Sequence, residues 1–253
     1  MNSVTLVRKI HRIAALIIGV QILLWTVSGV YFALIPIDEI RGSHLAEPAT
    51  SFDPTSIEDF KAPGIVLNRF MNANPAAELT GISLRQLRGR NVYYLQTILD
   101  DTPSNRLVDA RTGEPLEMVQ KREAELLASQ VIKFSAPLTS IDFVEVAEAD
   151  SEFKGRLLPM YKLNYDHPSN VSLYLDAWTG ELVATRTTFW RAFDFLWMLH
   201  IMDYDERSDF NNNLLRIFAF SALLFVISGF VLWVLSSQWL RKRRTRKMLE
   251  NMD

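Results

Sequence analysis

"IAALIIGVQILLWTVSGVYFALI", residues Ile13–Ile35, contains no charged side chain. At about 1.5 Å of rise per residue, a helix of that length measures about 34 Å, enough to cross a hydrocarbon layer of about 30 Å. The stretch reads as a membrane span. A second apolar run, Leu214–Leu235, repeats the pattern with one interruption, Arg216, close enough to the end for its long side chain to reach the interface. Between the two spans lies a polar middle that must fold outside the lipid.

Charge sets the expected orientation. Arg8, Lys9 and Arg12 precede the first span and "RKRRTRK", Arg241–Lys247, follows the second, so both ends are expected in the cytoplasm and the middle outside it. Positive residues ahead of an apolar run also describe a secretory signal. This run is too long for one, and no small-x-small cleavage site precedes Ile37, so it reads as an uncleaved anchor.

The chain holds 27 Lys and Arg against 29 Asp and Glu. That balance conceals a division, because Ile37–Thr188 carries fifteen basic and twenty-two acidic residues. An acidic outer domain and a short basic tail fit membrane topology and anionic lipid, and argue against nucleic acid as a partner. Cysteine is absent, which excludes disulfides, thiolate metal sites, iron–sulfur clusters, covalently attached haem and cysteine nucleophiles. Metal chemistry is left to His and carboxylates. The G-x-S-x-G, H-E-x-x-H, Walker and dinucleotide fingerprints are missing too, so the chain shows no self-contained catalytic site.

The middle repeats itself. "YYLQTILDDTPSNRLVDARTGEPL" (Tyr93–Leu116) aligns without a gap on "MYKLNYDHPSNVSLYLDAWTGELV" (Met160–Val183), pairing Tyr94 with Tyr161, Asp109 with Asp176, Thr112 with Thr179, Gly113 with Gly180 and Glu114 with Glu181. Asp, Thr and Gly in that order favour a tight turn between strands, with Gly supplying a positive φ. A metal loop around Asp109 and Asp176 is the other reading, but turn chemistry already explains every residue in the motif. Helical spacing of apolar residues predicts a helix ahead of each copy, over Ile57–Met71 and Met118–Ile132. A helix followed by antiparallel strands, twice over, predicts an α+β domain of two lobes carried between two transmembrane helices.

The doubled "DA-x-TGE" after a strand resembles the PepSY domain. Together with "KIHRIAALIIG" entering the first span, "FLWMLHIMDY" ahead of the second and "SGFVLWVL" (Ser228–Leu235) within it, the chain resembles the PepSY-associated transmembrane family over most of its length. Many members have four spans, and this chain looks like a two-span version. The resemblance implies residues 1–36 as N-terminus and first span, PepSY-like lobes at 37–117 and 118–188, an interfacial helix and loop at 189–212, a second span at 213–238 and a basic tail at 239–253. It implies a bacterial inner membrane with the lobes in the periplasm. Some four-span relatives are ferric-siderophore reductases whose span histidines hold b-type haem. That carries over to His11 and His200 alone, as axial ligands of haem b in a subunit of such a reductase.

Two readings stand for these histidines. His11, Ile18, Ile22, Trp25 and Gly29 fall on one helical stripe, where Gly29 is expected to admit a neighbouring helix; Phe189, Phe193, Leu196 and His200 share another. Either ring can therefore face a partner helix as a ligand, or serve as an interfacial polar residue near the membrane boundary. With His11 near one leaflet and His200 near the other, about 30 Å apart, they cannot grip one iron together. Each then needs a counterpart, from a homodimer or another membrane subunit. Electrons would come from a separate reductase or quinol and pass to an acceptor such as a ferric siderophore. The competing function is a colourless, anchored PepSY module that binds or inhibits a periplasmic partner. His44 and His167 read as loop residues, and Gln21, Thr26, Ser28, Ser221 and Ser228 as hydrogen bonders in helix packing. Trp25, Trp190, Trp197, Trp233 and Trp239 read as interfacial anchors.

Overall fold

The structure, a computed structural model, describes residues 3–47, 60–99, 101–146, 151–153 and 155–237. The basic tail, Trp239 and the first residues of the helix expected from Ile57 lie outside these residues. The described helices are α1 (Ser3–Leu34), α2 (Ile37–Arg41), α3 (Pro63–Ala73), α4 (Lys121–Val131), α5 (Thr188–Ile201) and α6 (Asn213–Ser236). The strands are β1 (Glu78–Leu87), β2 (Arg90–Leu99), β3 (Thr102–Asp109), β4 (Leu138–Val144), β5 (Met160–Tyr165), β6 (Ser172–Asp176) and β7 (Leu182–Arg186). They divide between two compact units, one of Met1–Ile35 with Phe193–Asp253 and one of Pro36–Ala192.

In the first unit, α1 and α6 are long and apolar enough to cross a membrane over His11–Leu34 and Asn213–Val234. Leu16, Ile17 and Val20 on α1 and Phe220, Phe230 and Trp233 on α6 are exposed, as lipid-facing side chains are. The second span begins where an N-cap stands: the Asn212 side chain accepts from Leu215 N at 2.8 Å, satisfying one of the orphan amides of the first turn.

The second unit is α+β, with two antiparallel sheets ordered β1-β2-β3 and β4-β5-β6-β7. Period-two alternation gives each sheet an apolar face, and an amphipathic helix covers it. Val66 and Phe70 of α3 meet Tyr93, Leu95 and Val108; Ala124, Ala128 and Val131 of α4 meet Leu163, Leu173 and Leu175. Each fully buried leucine contributes about 2 kcal/mol of hydrophobic stabilisation. Both helices start later than apolar spacing predicts. Pro63 at the first helical position fixes the start of α3, and Val119 N donates to Ala177 O at 2.8 Å, which holds residues ahead of α4 extended.

Both "DA-x-TGE" segments are turns, with matching hydrogen bonds. Asp109 Oδ1 accepts from the amides of Arg111 and Thr112, both at 2.9 Å, and Asp176 Oδ1 accepts from those of Trp178 and Thr179 at 2.8 and 2.7 Å. Gly113 and Gly180 follow at φ 72° and 73°, each donating to the carbonyl of its turn's Asp at 2.8 Å. The carboxylate oxygens thus serve backbone amides, as the turn reading expects.

The gapless alignment is off by one residue ahead of these turns. Asp109 pairs with Val92 but Asp176 with Met160, so the counterpart of Tyr161 is Tyr93, not Tyr94. Tyr93 and Tyr161 play the same part, donating to the carbonyls of Lys61 and Val119 at 2.7 and 2.9 Å. A one-residue slip moves a side chain to the opposite face of its sheet, and Tyr94 accordingly packs with Val92 and Leu107 on the other side. The first copy carries one more residue between its tyrosine and its turn.

Arg88 and Arg85 tie the halves of this unit together. The Arg88 guanidinium donates to Glu123 Oε1 and Oε2 at 2.8 and 2.7 Å and to Glu117 O at 2.6 Å, and Arg85 lies 3.5 Å from Glu181.

The face of the four-stranded sheet opposite α4 is divided between an apolar cluster of Phe153, Met160, Tyr174 and Ala184 and a polar network. Asn164 Nδ2 donates to Ser140 Oγ at 2.8 Å and Asp142 Oδ2 at 3.1 Å, Ser172 donates to Asn164 Oδ1 at 2.7 Å, and Arg191 Nη2 donates to Ser172 Oγ at 3.0 Å. Arg191 also grips Glu152 at 2.6 and 3.2 Å, and Tyr174 OH donates to it at 2.8 Å. Burial alone would raise the Glu152 pKa. Hydrogen bonds from Arg191 and Tyr174, with the positive charges of Arg191 and Lys162, outweigh it and bring the carboxyl below its ordinary value. Burial beside Glu152 drives the Tyr174 phenol the other way, well above its ordinary range. A depressed carboxyl contributes stability that is present above the ordinary carboxylate range and is lost as pH falls through the folded-state value. Thermal unfolding followed from neutral to acid pH should show this loss, and Glu152→Gln should flatten it while lowering neutral stability by about 1 kcal/mol.

Candidate histidine sites between the apolar helices

Two serines, one in each apolar helix, are hydrogen-bond partners of the two histidines. His200 lies one residue from the end of α5, and its Nδ1 is 2.6 Å from Ser28 Oγ, a fully buried hydroxyl on α1. His11, on α1, has its Nδ1 2.7 Å from Ser228 Oγ on α6. Each serine stands before a glycine, Ser28-Gly29 and Ser228-Gly229, so one dipeptide occurs in both helices and receives a histidine from another element.

Each hydroxyl also has a carbonyl within reach on its own helix. Ser28 Oγ donates to Leu24 O at 2.8 Å, and Ser228 Oγ to Phe225 O at 2.6 Å. Serine has one proton and two lone pairs; with the proton on the helix carbonyl, its oxygen accepts Nδ1–H and leaves the Nε2 lone pair of the imidazole free. Among the described residues neither Nε2 has a hydrogen-bond partner, and neither is sealed from the surface. A histidine tied at Nδ1 and open at Nε2 is the arrangement by which proteins orient a metal ligand.

The surroundings hold these rings in place. A helix end leaves its last carbonyls without partners, and at α5 three side chains supply them. Gln21 Nε2 donates to Leu199 O at 3.1 Å, Trp25 Nε1 to His200 O at 2.7 Å and Asn212 Nδ2 to Ile201 O at 2.9 Å. Phe32, Trp25 and Trp197 enclose the His200 ring, with Trp197 parallel to it at 6.4 Å. His11 stacks on Phe225 at 4.4 Å and 6°, and a Cβ on Gly229 would stand 3.4 Å from its Cε1.

The structure thus brings each predicted histidine to a serine partner and keeps the two apart. His11 and Ser28 are 17 residues apart on α1, so the sites stand about 25 Å from one another along its axis. Gly29 does not provide the close approach expected of it, since a Cβ there would meet nothing within 4 Å; at Gly229 a Cβ would make an ordinary contact with the His11 ring. On α5 the ring cluster runs through Phe193, Trp197 and His200. Trp25 and Trp197 belong to this cluster and are not free anchors, whereas Trp233 is exposed. Ser28 and Ser228 do more than pack helices. The repeated Ser-Gly marks both serines in the sequence but does not tell which histidine each one meets. His44 is half exposed, 3.5 Å from Glu39, and His167 accepts from Ser169 N at 3.1 Å beside Phe134, as loop residues do.

A family model described as the PepSY-associated TM region matches residues 8–253. The chain belongs to this family. No curated protein and no solved structure matches it. The family assignment and the two apolar helices make this PepSY-associated chain a membrane protein with two candidate spans. Among its described residues no group of three or more His, Cys, Asp or Glu side chains gathers as a metal site. Iron bound within a porphyrin asks only for axial donors, one per face, so the isolated histidines suit that ligation and not a bare cation.

Proposed function

We propose that this chain is a b-haem protein of the bacterial inner membrane that moves electrons across the bilayer toward a periplasmic acceptor, a ferric siderophore or other ferric iron. The observation that carries the reading is the matched pair of Ser–His contacts, Ser228 with His11 and Ser28 with His200, each leaving Nε2 without a hydrogen-bond partner among the described residues. Haem b bound by such imidazoles supplies a one-electron redox couple at each site. The serines fix ring tautomer and rotation, and the aromatic and apolar neighbours exclude water, which holds the site at low dielectric.

One imidazole per site is half of the ligation a six-coordinate iron takes. A second copy of the chain supplies the other half in this reading, so a homodimer pairs His11 with its twin and His200 with its twin. The Lys and Arg bias supports cytoplasmic termini, with residues 37–117 and 118–188 as periplasmic PepSY-like lobes and 189–212 as the interfacial segment. A separate reductase or quinol provides the electrons.

Protein extracted in detergent after haem-replete expression should show a Soret band and, in the reduced-minus-oxidised spectrum, a b-type α-band. A colourless preparation that carries a periplasmic enzyme with it would overturn the redox reading in favour of an anchored binding module.

A further inference from the structure

The second unit has a hollow that the histidine sites do not use. It is an open groove of about 550 Å³ over the polar part of the four-stranded sheet, and Lys162, Asn164, Asp166, Ser172, Glu152 and Arg191 contribute to its lining. Four of these are committed to one another: Asn164 to Ser172, Ser172 to Arg191, and Arg191 to Glu152, whose charge it neutralises. Those bonds make a rigid, satisfied floor.

Two charged side chains in the lining form no hydrogen bond or ion pair with a described residue. The Lys162 ammonium stands 5.8 Å from the centre of the Tyr174 ring and acts on Glu152 only through its field. The Asp166 carboxylate has no donor among the described residues. Lys162 and Asn164 lie two residues apart on β5 and share a face. Asp166 follows the strand where the chain turns, its amide donating to Pro137 O at 2.9 Å, and it lines the same hollow; four residues of extended chain set an upper limit of about 13 Å between the Cα atoms of Lys162 and Asp166.

A cation and an anion that form no ion pair with a described residue, in the lining of one hollow with an amide side chain between them in sequence, match a ligand that carries both charges. The four charged groups of the lining, Lys162, Arg191, Glu152 and Asp166, sum to zero, so an ion of single sign would gain one contact and meet repulsion from the other group. We propose that this hollow binds a small extended zwitterion, its carboxylate on Lys162 and its ammonium on Asp166, with the charges separated by about the length of a tripeptide. The assignment does not depend on haem at the histidines.

Triglycine titrated into the full-length protein in detergent, followed by isothermal calorimetry, tests it. Saturable binding is expected, weakened about tenfold by Lys162→Met and again by Asp166→Asn, each removing one charge-assisted contact. Lys162→Arg and Asp166→Glu, which keep the charges, should retain binding and so separate loss of contact from loss of fold. Acetylated, amidated triglycine should not bind. No heat from triglycine up to about 10 mM overturns the proposal, as does equal binding of the blocked peptide. If acetate binds as well as triglycine and is indifferent to Asp166→Asn, the hollow is a plain anion site and the zwitterion assignment is wrong.

Discussion

His200→Ala protein should retain about half of the haem bound by the unaltered chain, and His11→Ala the other half, because each ring serves a site of its own about 25 Å from its fellow along α1. The measurement is haem per polypeptide by pyridine haemochrome. Ser28→Ala separates ligation from packing. It removes the acceptor of the His200 Nδ1–H while leaving the bonds of Gln21 and Trp25 to the end of α5 in place. Loss of such an outer hydrogen bond typically costs 10–100-fold in metal affinity, so haem affinity at the His200 site should fall by about that factor while the His11 site is unchanged. Full haem content in both histidine variants would refute their role as ligands, whatever else the protein binds.

Replacing Arg88 should destabilise the second unit by about 2 kcal/mol, the value of a charge-assisted hydrogen-bond pair. Backbone geometry alone predicts the opposite. Arg88 and Gly89 occupy the two-residue turn between β1 and β2 at φ 53° and 67°, the left-handed region that a non-glycine residue enters only at a cost. Arg88→Gly would relieve that strain, worth about 1 kcal/mol. The bidentate contact to Glu123 and the bond to Glu117 O would be lost with it, and the Arg88 side chain is only 10 % exposed. Chemical denaturation monitored by tryptophan fluorescence decides the sign. A gain in stability for Arg88→Gly would mean that the arginine contacts contribute nothing beyond the turn.

Much of the fold was legible because it rests on local rules. Uncharged length marked α1 and α6, and the Asp, Thr and Gly of each motif foretold a tight turn and the positive φ of Gly113 and Gly180. Tyr94 shows where such rules stop. A gapless alignment matches letters, but strand register is set by pairing across the sheet, and one additional residue put Tyr93 over the helix in place of Tyr94. The histidines were legible as candidates through their place at the span ends and the family motifs. Their serine partners were not, since Ser28 lies 172 positions from His200 and Ser228 lies 217 from His11. The Glu152 cluster gathers side chains from a loop, three strands and a helix, and no spacing within one segment announces it.

Helix α1 gives an imidazole at one end and a hydroxyl at the other, so it is the common ruler of both sites. Adding a single residue between His11 and Ser28 would swing one end about 100° around the axis relative to the other, and no rigid movement of the rod could then restore both contacts.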